Sequence, residues 1–181
     1  MIVEELPIHE ARLFVPRVFG DERGFFKETF SASRYAAAGI AETFVQDNLS
    51  VSHAMTLRGL HADRRMAKLV QVLSGRAFDV VVDLRPESPT FLRWHGLELA
   101  GNEHAQIYIP AGCLHGFLAL EDDTMLAYKQ SAEYDPATEF GVAWNDPELA
   151  IAWPLEGRAP LLSAKDAANP TLALLRQLGR L

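Results

Sequence analysis

Cysteine is almost absent from this chain. Cys113 is the single cysteine among 181 residues, which excludes an internal disulfide and a cysteine-rich zinc site. No apolar run approaches the roughly 20 residues that a membrane-spanning helix needs. The first residues, 1–7, lack the basic start and the apolar centre of a secretory signal. We therefore expect a cytoplasmic protein that has no membrane partner.

Basic residues are scarce relative to acidic ones. Lysine and arginine number 17 against 24 aspartates and glutamates, and the formal net charge is -7. Binding to nucleic acid needs a basic surface, so no nucleic-acid partner is expected. A small anionic substrate remains compatible with this charge, provided that a few basic residues gather in one cleft.

Signature patterns of metal and cofactor sites are missing as well. The six histidines never form an H-x-H, H-x-x-x-H or H-E-x-x-H pattern. Residues 20–24 contain two glycines but lack the G-x-G-x-x-G pattern of a dinucleotide-binding turn. These absences disfavour both kinds of site. His61 and His115 could still converge in space, which leaves a metal site open as an alternative.

The middle of the chain predicts a series of short strands. Two β-branched runs, 68–73 and 78–84, flank a turn at residues 74–75. Further strands are predicted at 93–99, 105–109, 116–120 and 124–130. Turn-forming residues separate the strands and no helix intervenes, which disfavours a layered α/β fold. The pattern is typical of an antiparallel sandwich, a jelly roll or a small barrel.

The two ends of the chain add a few elements. Residues 15–19 and 25–30 predict strands on either side of a turn, and residues 31–39 predict a short helix that Gly39 ends. From residue 169 onward, leucines recur at helical spacing. No linker or repeat divides the sequence, so a single domain is expected over residues 1–181.

Two histidine segments could carry chemistry. Leu57-Arg-Gly-Leu-His61 ends in a possible general base, and Lys68 could stabilise a developing oxyanion. We expect both on adjacent strands joined by residues 62–66, although a hairpin with a solvated lysine would have the same sequence. His115 beside a glycine could line the mouth of a pocket or serve as a hydrogen-bonded turn residue.

Three more polar residues could belong to a catalytic site, but each also has a purely structural interpretation. Tyr128 and Tyr134 are six positions apart, an even offset, so in an unbroken strand both would face the same side. One could act as an acid and the other as a stacking surface for a base, but tyrosines in strands are more often packing residues. Asp166 could orient a histidine or form part of a helix cap.

Several motifs occur together in a fixed order. They are Asp21-x-Arg23-Gly24-x-Phe26-x-Glu28, Gln46-Asp-Asn48-x-Ser50-x-Ser52, Leu57-Arg58-Gly59-Leu60-His61, Lys68-Leu-Val, Asp79-Val-Val-Val-Asp83, Pro110-x-Gly112-x-x-His115-Gly-Phe117, Tyr128 to Tyr134-x-Pro136, and Trp144-Asn-Asp-Pro147 to Trp153-Pro154. With this ordered set, the chain resembles the dTDP-4-dehydrorhamnose 3,5-epimerase family over about residues 5–170. The resemblance implies a mainly β, cupin-type jelly roll, an antiparallel β-sandwich or barrel with short N-terminal and C-terminal helices. It also implies a homodimer with no metal and no organic cofactor.

The same resemblance implies an activity on nucleotide-linked 4-keto-6-deoxysugars. The ketone acidifies the protons on C3 and C5, so each can be removed to give an enolate and returned on the opposite face. The expected reaction converts dTDP-4-dehydro-6-deoxy-D-glucose to dTDP-4-dehydro-L-rhamnose. The alternatives are inversion at C3 or C5 alone, a GDP-linked substrate, a metal-dependent cupin dioxygenase or isomerase, and a binding module without catalysis.

Four residues match the family's catalytic positions. The resemblance makes His61 the base, Asp166 the carboxylate that orients it, Lys68 the cation facing the C4 oxygen, and Tyr128 the acid on the other face. Such a cation is most effective in a site with little water.

The remaining matches concern substrate binding. Tyr134 matches a residue near the nucleotide base, Arg58 and Arg23 suit the diphosphate, and His115 matches a pocket histidine without an assigned role. Polar contacts to sugar or nucleotide are expected from Glu28, Gln46 and Asn48. Part of the family's N-terminal segment reaches the neighbouring subunit's site, so the residues expected to act there are Arg23, Phe26 and Glu28.

The link between His61 and Lys68 departs from the common family pattern. Residues 62–67 form a shorter link that lacks a proline, and Asp63 stands where other groups are usual. This link resembles that of epimerases acting on GDP-linked 4-keto-6-deoxyheptoses, whereas residues 46–48 and 110–117 resemble the dTDP-sugar enzymes. The nucleotide, the sugar and the number of inverted carbons therefore stay open.

Overall fold

Strands dominate the architecture. The computed structural model describes residues 1–180. Its strands are Ile2–Glu5 (β1), Arg12–Val15 (β2), Val18–Asp21 (β3), Gly24–Lys27 (β4), Gln46–Ser52 (β5), Leu57–Ala62 (β6), Lys68–Ser74 (β7), Arg76–Asp83 (β8), Trp94–Ala100 (β9), Gln106–Ile109 (β10), Cys113–Ala119 (β11), Thr124–Gln130 (β12) and Phe140–Gly141 (β13). Its short helices are Ala32–Ala37 (α1), Ala164–Ala167 (α2) and Leu172–Gln177 (α3). Within the described residues, none of these helices is long and apolar enough to cross a membrane.

Two antiparallel sheets form the body of the molecule. One has six strands in the order β1-β2-β10-β7-β12-β5, and the other has five in the order β13-β6-β11-β8-β9. A separate hairpin pairs β3 with β4. The expected mainly β jelly roll with short terminal helices is therefore confirmed.

The core fills the space between the sheets and also covers part of both outer faces. Val70 and Leu126 from the six-stranded sheet belong to one buried cluster with Val81 and Phe117 from the five-stranded sheet. The intervening positions of β8, including Val80, belong to a second cluster that the C-terminal segment covers. A strand that is buried on both faces reads as a continuous apolar run, which is why β8 was recognisable from its sequence.

Most predicted strands are confirmed, with one error near the N-terminus. The strand expected at residues 15–19 is wrong, because the chain breaks after Val15 and a new strand starts at Val18. Pro16 has no N–H to donate to a ladder, which accounts for the break. The predicted helices are confirmed as α1, which ends before Gly39, and α3, which begins at Leu172.

The expected pairing of the strands that carry His61 and Lys68 is wrong. β6 belongs to the five-stranded sheet and β7 to the six-stranded sheet. Residues 62–67 therefore cross from one sheet to the other. His61 and Lys68 consequently come from opposite walls of the sandwich rather than from one hairpin.

Two glycines bring β6 and β11 unusually close. A Cβ on Gly59 would lie 2.6 Å from the Cα of Gly116 and 2.9 Å from the carbonyl oxygen of His115. Gly59 also has φ +125°, a conformation that glycine adopts without strain. The pairing register shifts between His115 and Phe117 at this point. As a result, His61 lies directly opposite His115 across the ladder.

Three Asp-x-Arg triplets share one local fold. In each, the carboxylate accepts hydrogen bonds from the backbone N–H and the guanidinium of the arginine two residues later. The triplets begin at Asp21, Asp63 and Asp83. Asp63 and Asp83 are buried, whereas Asp21 is exposed.

Asp83 is the most fully satisfied of the three carboxylates. Ser88 Oγ and Thr90 Oγ1 also donate to it, at 2.5 Å and 2.7 Å. Burial by itself would raise the pKa of Asp83, but the hydrogen bonds from Arg85, Ser88 and Thr90 together hold that pKa well below its usual value. Asp83 thereby fixes the loop after β8 while it is ionised.

We expect Asp83→Asn to lower the free energy of unfolding by about 3 kcal/mol at pH 7, because Arg85 loses its buried partner. The folded-state pKa of Asp83 lies below the ordinary 3.8, so its stabilisation is present above that pH and is lost as the pH falls further. Urea unfolding should therefore show a smaller difference between wild type and variant at pH 3 than at pH 7. Glu156→Gln, which breaks the exposed pair with Arg158, is the control and should leave stability unchanged. An Asp83→Asn variant as stable as wild type would contradict this account.

Candidate active site

A cavity of about 420 Å³ opens between the two sheets. Nine of the twelve residues expected from the sequence line it. The five-stranded sheet supplies Arg58, His61 and His115, the six-stranded sheet supplies Gln46, Asn48, Lys68 and Tyr128, and loops or short helices supply Tyr134 and Asp166. Inward-facing side chains of both sheets thus meet in one space.

His61 and Asp166 form a close polar contact in the cavity wall. His61 Nε2 lies 2.6 Å from Asp166 Oδ1, and the two side chains are 22% and 6% exposed. Because a carboxylate only accepts, the ring donates from Nε2, and in the neutral form of the ring the lone pair is then on Nδ1. Asp166 therefore fixes both the tautomer and the orientation of the histidine.

Asp166 is itself held by the start of α2. Ser163 caps this helix and donates from Oγ to Asp166 Oδ2 at 2.8 Å, while Asp166 N–H donates back to Ser163 Oγ at 3.0 Å. Burial would raise the pKa of Asp166, but the hydrogen bonds from His61 and Ser163 outweigh it and lower the pKa. The carboxylate is therefore ionised at neutral pH.

Lys68 is a buried cation at the start of β7. Burial lowers the pKa of its ammonium group, and the negative charges of Glu139, Asp79 and Asp63 act in the opposite direction. These carboxylates favour the charged form in a place with little solvent. An ammonium group in such a place interacts strongly with any negative charge that forms nearby.

Tyr128 faces the cavity from the six-stranded sheet, whereas His61 belongs to the five-stranded sheet. Burial, followed by the charge of Glu139, raises the pKa of its phenol, while Arg58 acts in the opposite direction. The hydroxyl therefore keeps its proton at neutral pH. It lies on the wall opposite His61.

His115 forms a second histidine–carboxylate pair. Its Nε2 lies 2.8 Å from Oδ2 of Asp79, and both side chains are buried. The other carboxylate oxygen of Asp79 has no hydrogen-bond donor among residues 1–180. The sequence suggested a pocket histidine here. The structure places His115 on the same wall as His61, on the neighbouring strand and paired with it across the ladder.

A chain of amides forms one polar wall. Gln46 Nε2 donates to Asn48 Oδ1 at 2.9 Å, and Asn48 Nδ2 donates to Gln130 Oε1 at 3.1 Å. Gln46 Oε1 also accepts from the backbone N–H of Tyr134 at 2.8 Å. This wall holds Tyr134 even though β12 ends at Gln130. Tyr128 and Tyr134 therefore do not share a strand, but both line the cavity.

Two charged residues of the cavity were missed by sequence reasoning. Glu139 pairs with Lys165, whose ammonium nitrogen also lies 5.8 Å from the centre of the Tyr134 ring. The position of Lys165 directly before Asp166 was the one available signal. Glu139 follows a loop of irregular structure, and no periodic pattern marks it.

Three expected residues do not reach the cavity of their own chain. Arg23 and Phe26 lie on the β3–β4 hairpin, where the Arg23 side chain is 85% exposed and Phe26 is 70% exposed. Arg23 pairs with Asp21, and Glu28 pairs with Arg34 at 2.7 Å. The hairpin instead projects exposed aromatic side chains outward.

No group of three His, Cys, Asp or Glu side chains in residues 1–180 is arranged to hold a metal ion. His61 and His115 do converge, but each is engaged with its own aspartate.

Comparison with known proteins agrees with this geometry. A family model described as dTDP-4-dehydrorhamnose 3,5-epimerase matches residues 5–173. The dTDP-4-dehydrorhamnose 3,5-epimerase of Pseudomonas aeruginosa is 46% identical over 176 residues, covering 96% of this chain and 97% of that protein. The epimerase structure from Mycobacterium tuberculosis aligns with a TM-score of 0.95 at 42% identity, over 100% of this chain and 93% of that one.

A further solved structure is similar in both sequence and fold. The dTDP-6-deoxy-D-glucose-3,5-epimerase of Legionella pneumophila, in complex with dTDP-4-keto-L-rhamnose, has a TM-score of 0.92 and 45% identity. The alignment covers 96% of this chain and 94% of the Legionella chain. With the sequence, the fold and the cavity in agreement, the chain belongs to the dTDP-4-dehydrorhamnose 3,5-epimerase family.

Proposed function

We propose that the chain inverts C3 and C5 of dTDP-4-dehydro-6-deoxy-D-glucose to give dTDP-4-dehydro-L-rhamnose. The observation that carries this proposal is a cavity with a histidine–carboxylate pair on one wall, a protonated tyrosine on the other and a buried lysine. The related Legionella enzyme, whose structure is a complex with dTDP-4-keto-L-rhamnose, supports the choice of substrate. The reaction makes the chain an isomerase of deoxysugar biosynthesis, and we place it in the cytoplasm.

His61 acts as the base in this proposal. Its Nδ1 takes a proton from the carbon next to the C4 ketone, and the resulting imidazolium is stabilised by the ionised Asp166. The bonding electrons of the broken C–H bond become the enolate double bond, and the carbonyl electrons move to the C4 oxygen. One base serves both carbons if the sugar ring turns over between the two steps.

Lys68 stabilises the negative charge on the C4 oxygen. The charge develops only as the proton leaves, so an ammonium group aimed at this oxygen favours the transition state over the ground state. The burial of Lys68 strengthens the interaction, because little water screens it.

Tyr128 returns a proton from the opposite wall. Burial and the charge of Glu139 raise the pKa of its phenol, so the group donates a proton rather than removing one at neutral pH. Because base and acid belong to different sheets, removal and return occur on opposite faces of the sugar. Inversion follows from this arrangement.

Charged and aromatic residues suit the nucleotide end. Arg58 offers a planar guanidinium for the diphosphate, and Tyr134 offers an exposed ring face for the base. Gln46 and Asn48 present amides to the sugar or nucleotide, and His115 completes the wall next to His61.

We further propose a homodimer in which the β3–β4 hairpin reaches the neighbouring cavity. Its exposed phenylalanines include Phe25 and Phe26, at 61% and 70%, and such a cluster favours contact with another surface. Arg23 and Glu28 lie outside the cavity of their own chain, which supports a role for them in the partner's site.

The first test is incubation with dTDP-4-dehydro-6-deoxy-D-glucose in deuterated water, followed by mass spectrometry and NMR. We expect deuterium at both C3 and C5 with inversion at both. His61→Ala should lose exchange at both carbons by at least about a hundredfold, since general-base catalysis contributes at least that much.

Other outcomes of this experiment would indicate a different activity. Exchange at one carbon would overturn double epimerisation and indicate a single-site epimerase. If the dTDP sugar shows no exchange but a GDP-linked 4-keto sugar does, the enzyme is specific for a different nucleotide. The short link at residues 62–67 would then mark that specificity. Activity that is lost to a chelator and restored by metal would favour a metal-dependent cupin.

Tyr128→Phe should separate proton removal from inversion. The variant keeps the aromatic packing but lacks the proton donor, so wash-out of substrate protons should continue while formation of inverted product falls by about a hundredfold. Single-turnover NMR in deuterated water measures both quantities. A variant with full inversion would remove Tyr128 from its role as the acid.

Mixed dimers test the proposed exchange of hairpins. His61→Ala and the double variant Arg23→Ala/Glu28→Ala should each be nearly inactive alone, yet a co-refolded mixture should regain about a quarter of the wild-type activity, because half of the chains form heterodimers with one complete site. Light scattering checks the dimeric mass. Activity of the mixture that equals the sum of its components would contradict a site shared between subunits.

A further inference from the structure

Hydrogen bonds join the short link to a neighbouring loop at both ends of each segment. The link is residues 62–67, and we call residues 131–139 the tyrosine loop. At one end, Ala67 N–H donates to Ser131 Oγ at 2.8 Å and Ser131 N–H donates to Ala67 O at 3.0 Å. These two bonds fix the start of the tyrosine loop to the end of the link.

An ionic cluster centred on the buried Asp63 joins the opposite ends. Asp63 accepts from the backbone N–H of Arg65 at 2.9 Å and from its Nη2 at 2.8 Å. Thr138 Oγ1 donates to Asp63 Oδ2 at 2.6 Å and accepts from Arg65 Nη2 at 2.6 Å. The Thr138 hydroxyl is therefore shared by both charged groups, and the three side chains form one clamp.

Asp63 is ionised throughout the physiological range. The hydrogen bond from the Arg65 guanidinium outweighs burial and, with the bond from Thr138, lowers the pKa of Asp63 to about 2. Asp63 is buried although Arg65 is half exposed. Breaking the cluster would leave a buried charge poorly partnered, so the clamp resists opening.

The clamped loop carries two residues of the cavity. Tyr134 lies at its middle and Glu139 at its end, and both line the cavity. Between the two anchored ends, the backbone of Tyr134 is held by Gln46. The position of the Tyr134 ring therefore depends on how firmly the ends are held.

We propose that Asp63, Arg65 and Thr138 are positioning residues that hold the tyrosine loop against the nucleotide. The inference rests on the proposed function, in which Tyr134 stacks on the nucleotide base. The short link provides the aspartate and arginine that fix the loop. Glu139 is held separately by its ion pair with Lys165, so the contribution of the three residues is to binding of the nucleotide rather than to proton transfer at the sugar.

The chain contains a matched cluster away from the cavity. Asp83 accepts from Arg85 and from Thr90 Oγ1 at 2.7 Å, which repeats the Asp-x-Arg-plus-threonine arrangement. Thr90 does not line the cavity. Thr90→Val is therefore a control that removes a comparable hydrogen bond without loosening the tyrosine loop.

The test is Thr138→Val, which removes the shared hydroxyl and keeps the size of the side chain. Hydrogen exchange followed by mass spectrometry should show faster exchange of backbone amides in residues 131–139. Calorimetry with thymidine diphosphate should show binding weakened by about tenfold. Turnover at saturating substrate should stay within about twofold of wild type. Thr90→Val should change neither the exchange in this loop nor the affinity.

A second background separates positioning from general destabilisation. In Tyr134→Ala, Thr138→Val should weaken thymidine diphosphate binding no further, because the residue through which it acts is gone. Unchanged exchange in residues 131–139, or a further tenfold loss in the Tyr134→Ala background, would overturn the inference. Wild-type protein that binds thymidine diphosphate but exchanges no sugar protons would overturn the proposed function and leave the clamp standing.

Discussion

Burial of charged groups between two apolar sheets is the constraint on which the site depends. Lys68, Asp79, Asp166 and His115 are each less than a tenth exposed, and an unpartnered charge in such a place is costly. His61 and His115 are therefore each paired with an aspartate, and the charges of nearby carboxylates favour the charged form of Lys68. The same low exposure that makes these pairs necessary also strengthens their action on a substrate.

The antiparallel sandwich divides the chemistry between its walls. The five-stranded sheet supplies His61 with its neighbour His115, and the six-stranded sheet supplies Lys68 and Tyr128. In the proposed mechanism, a sugar held between the walls meets a base on one side and an acid on the other. The link at residues 62–67 carries the chain between these walls within a few residues, so its geometry affects both.

Local patterns revealed much of the fold and part of the site. The β-branched runs, the turn at residues 74–75 and the leucines of α3 specify structure through residues that are close in sequence. Each of these elements lies near its expected place. The partners of His61 and Lys68 depended on contacts between distant segments. Glu139 and Lys165, 26 residues apart, carry no shared motif, so their meeting in the cavity was not predictable from spacing.

The sequence by itself determined the strand-rich architecture and, through its ordered motifs, the family and nine residues that line the cavity. Strand propensity, turns and motif order are properties of short segments, which explains why they are readable without coordinates. The tertiary structure decided that β6 and β7 lie in opposite sheets, that Arg23, Phe26 and Glu28 lie outside their own cavity, and that the short link clamps the tyrosine loop. These facts depend on which distant segments pack together, and that choice is made by the burial of the whole core rather than by any local pattern.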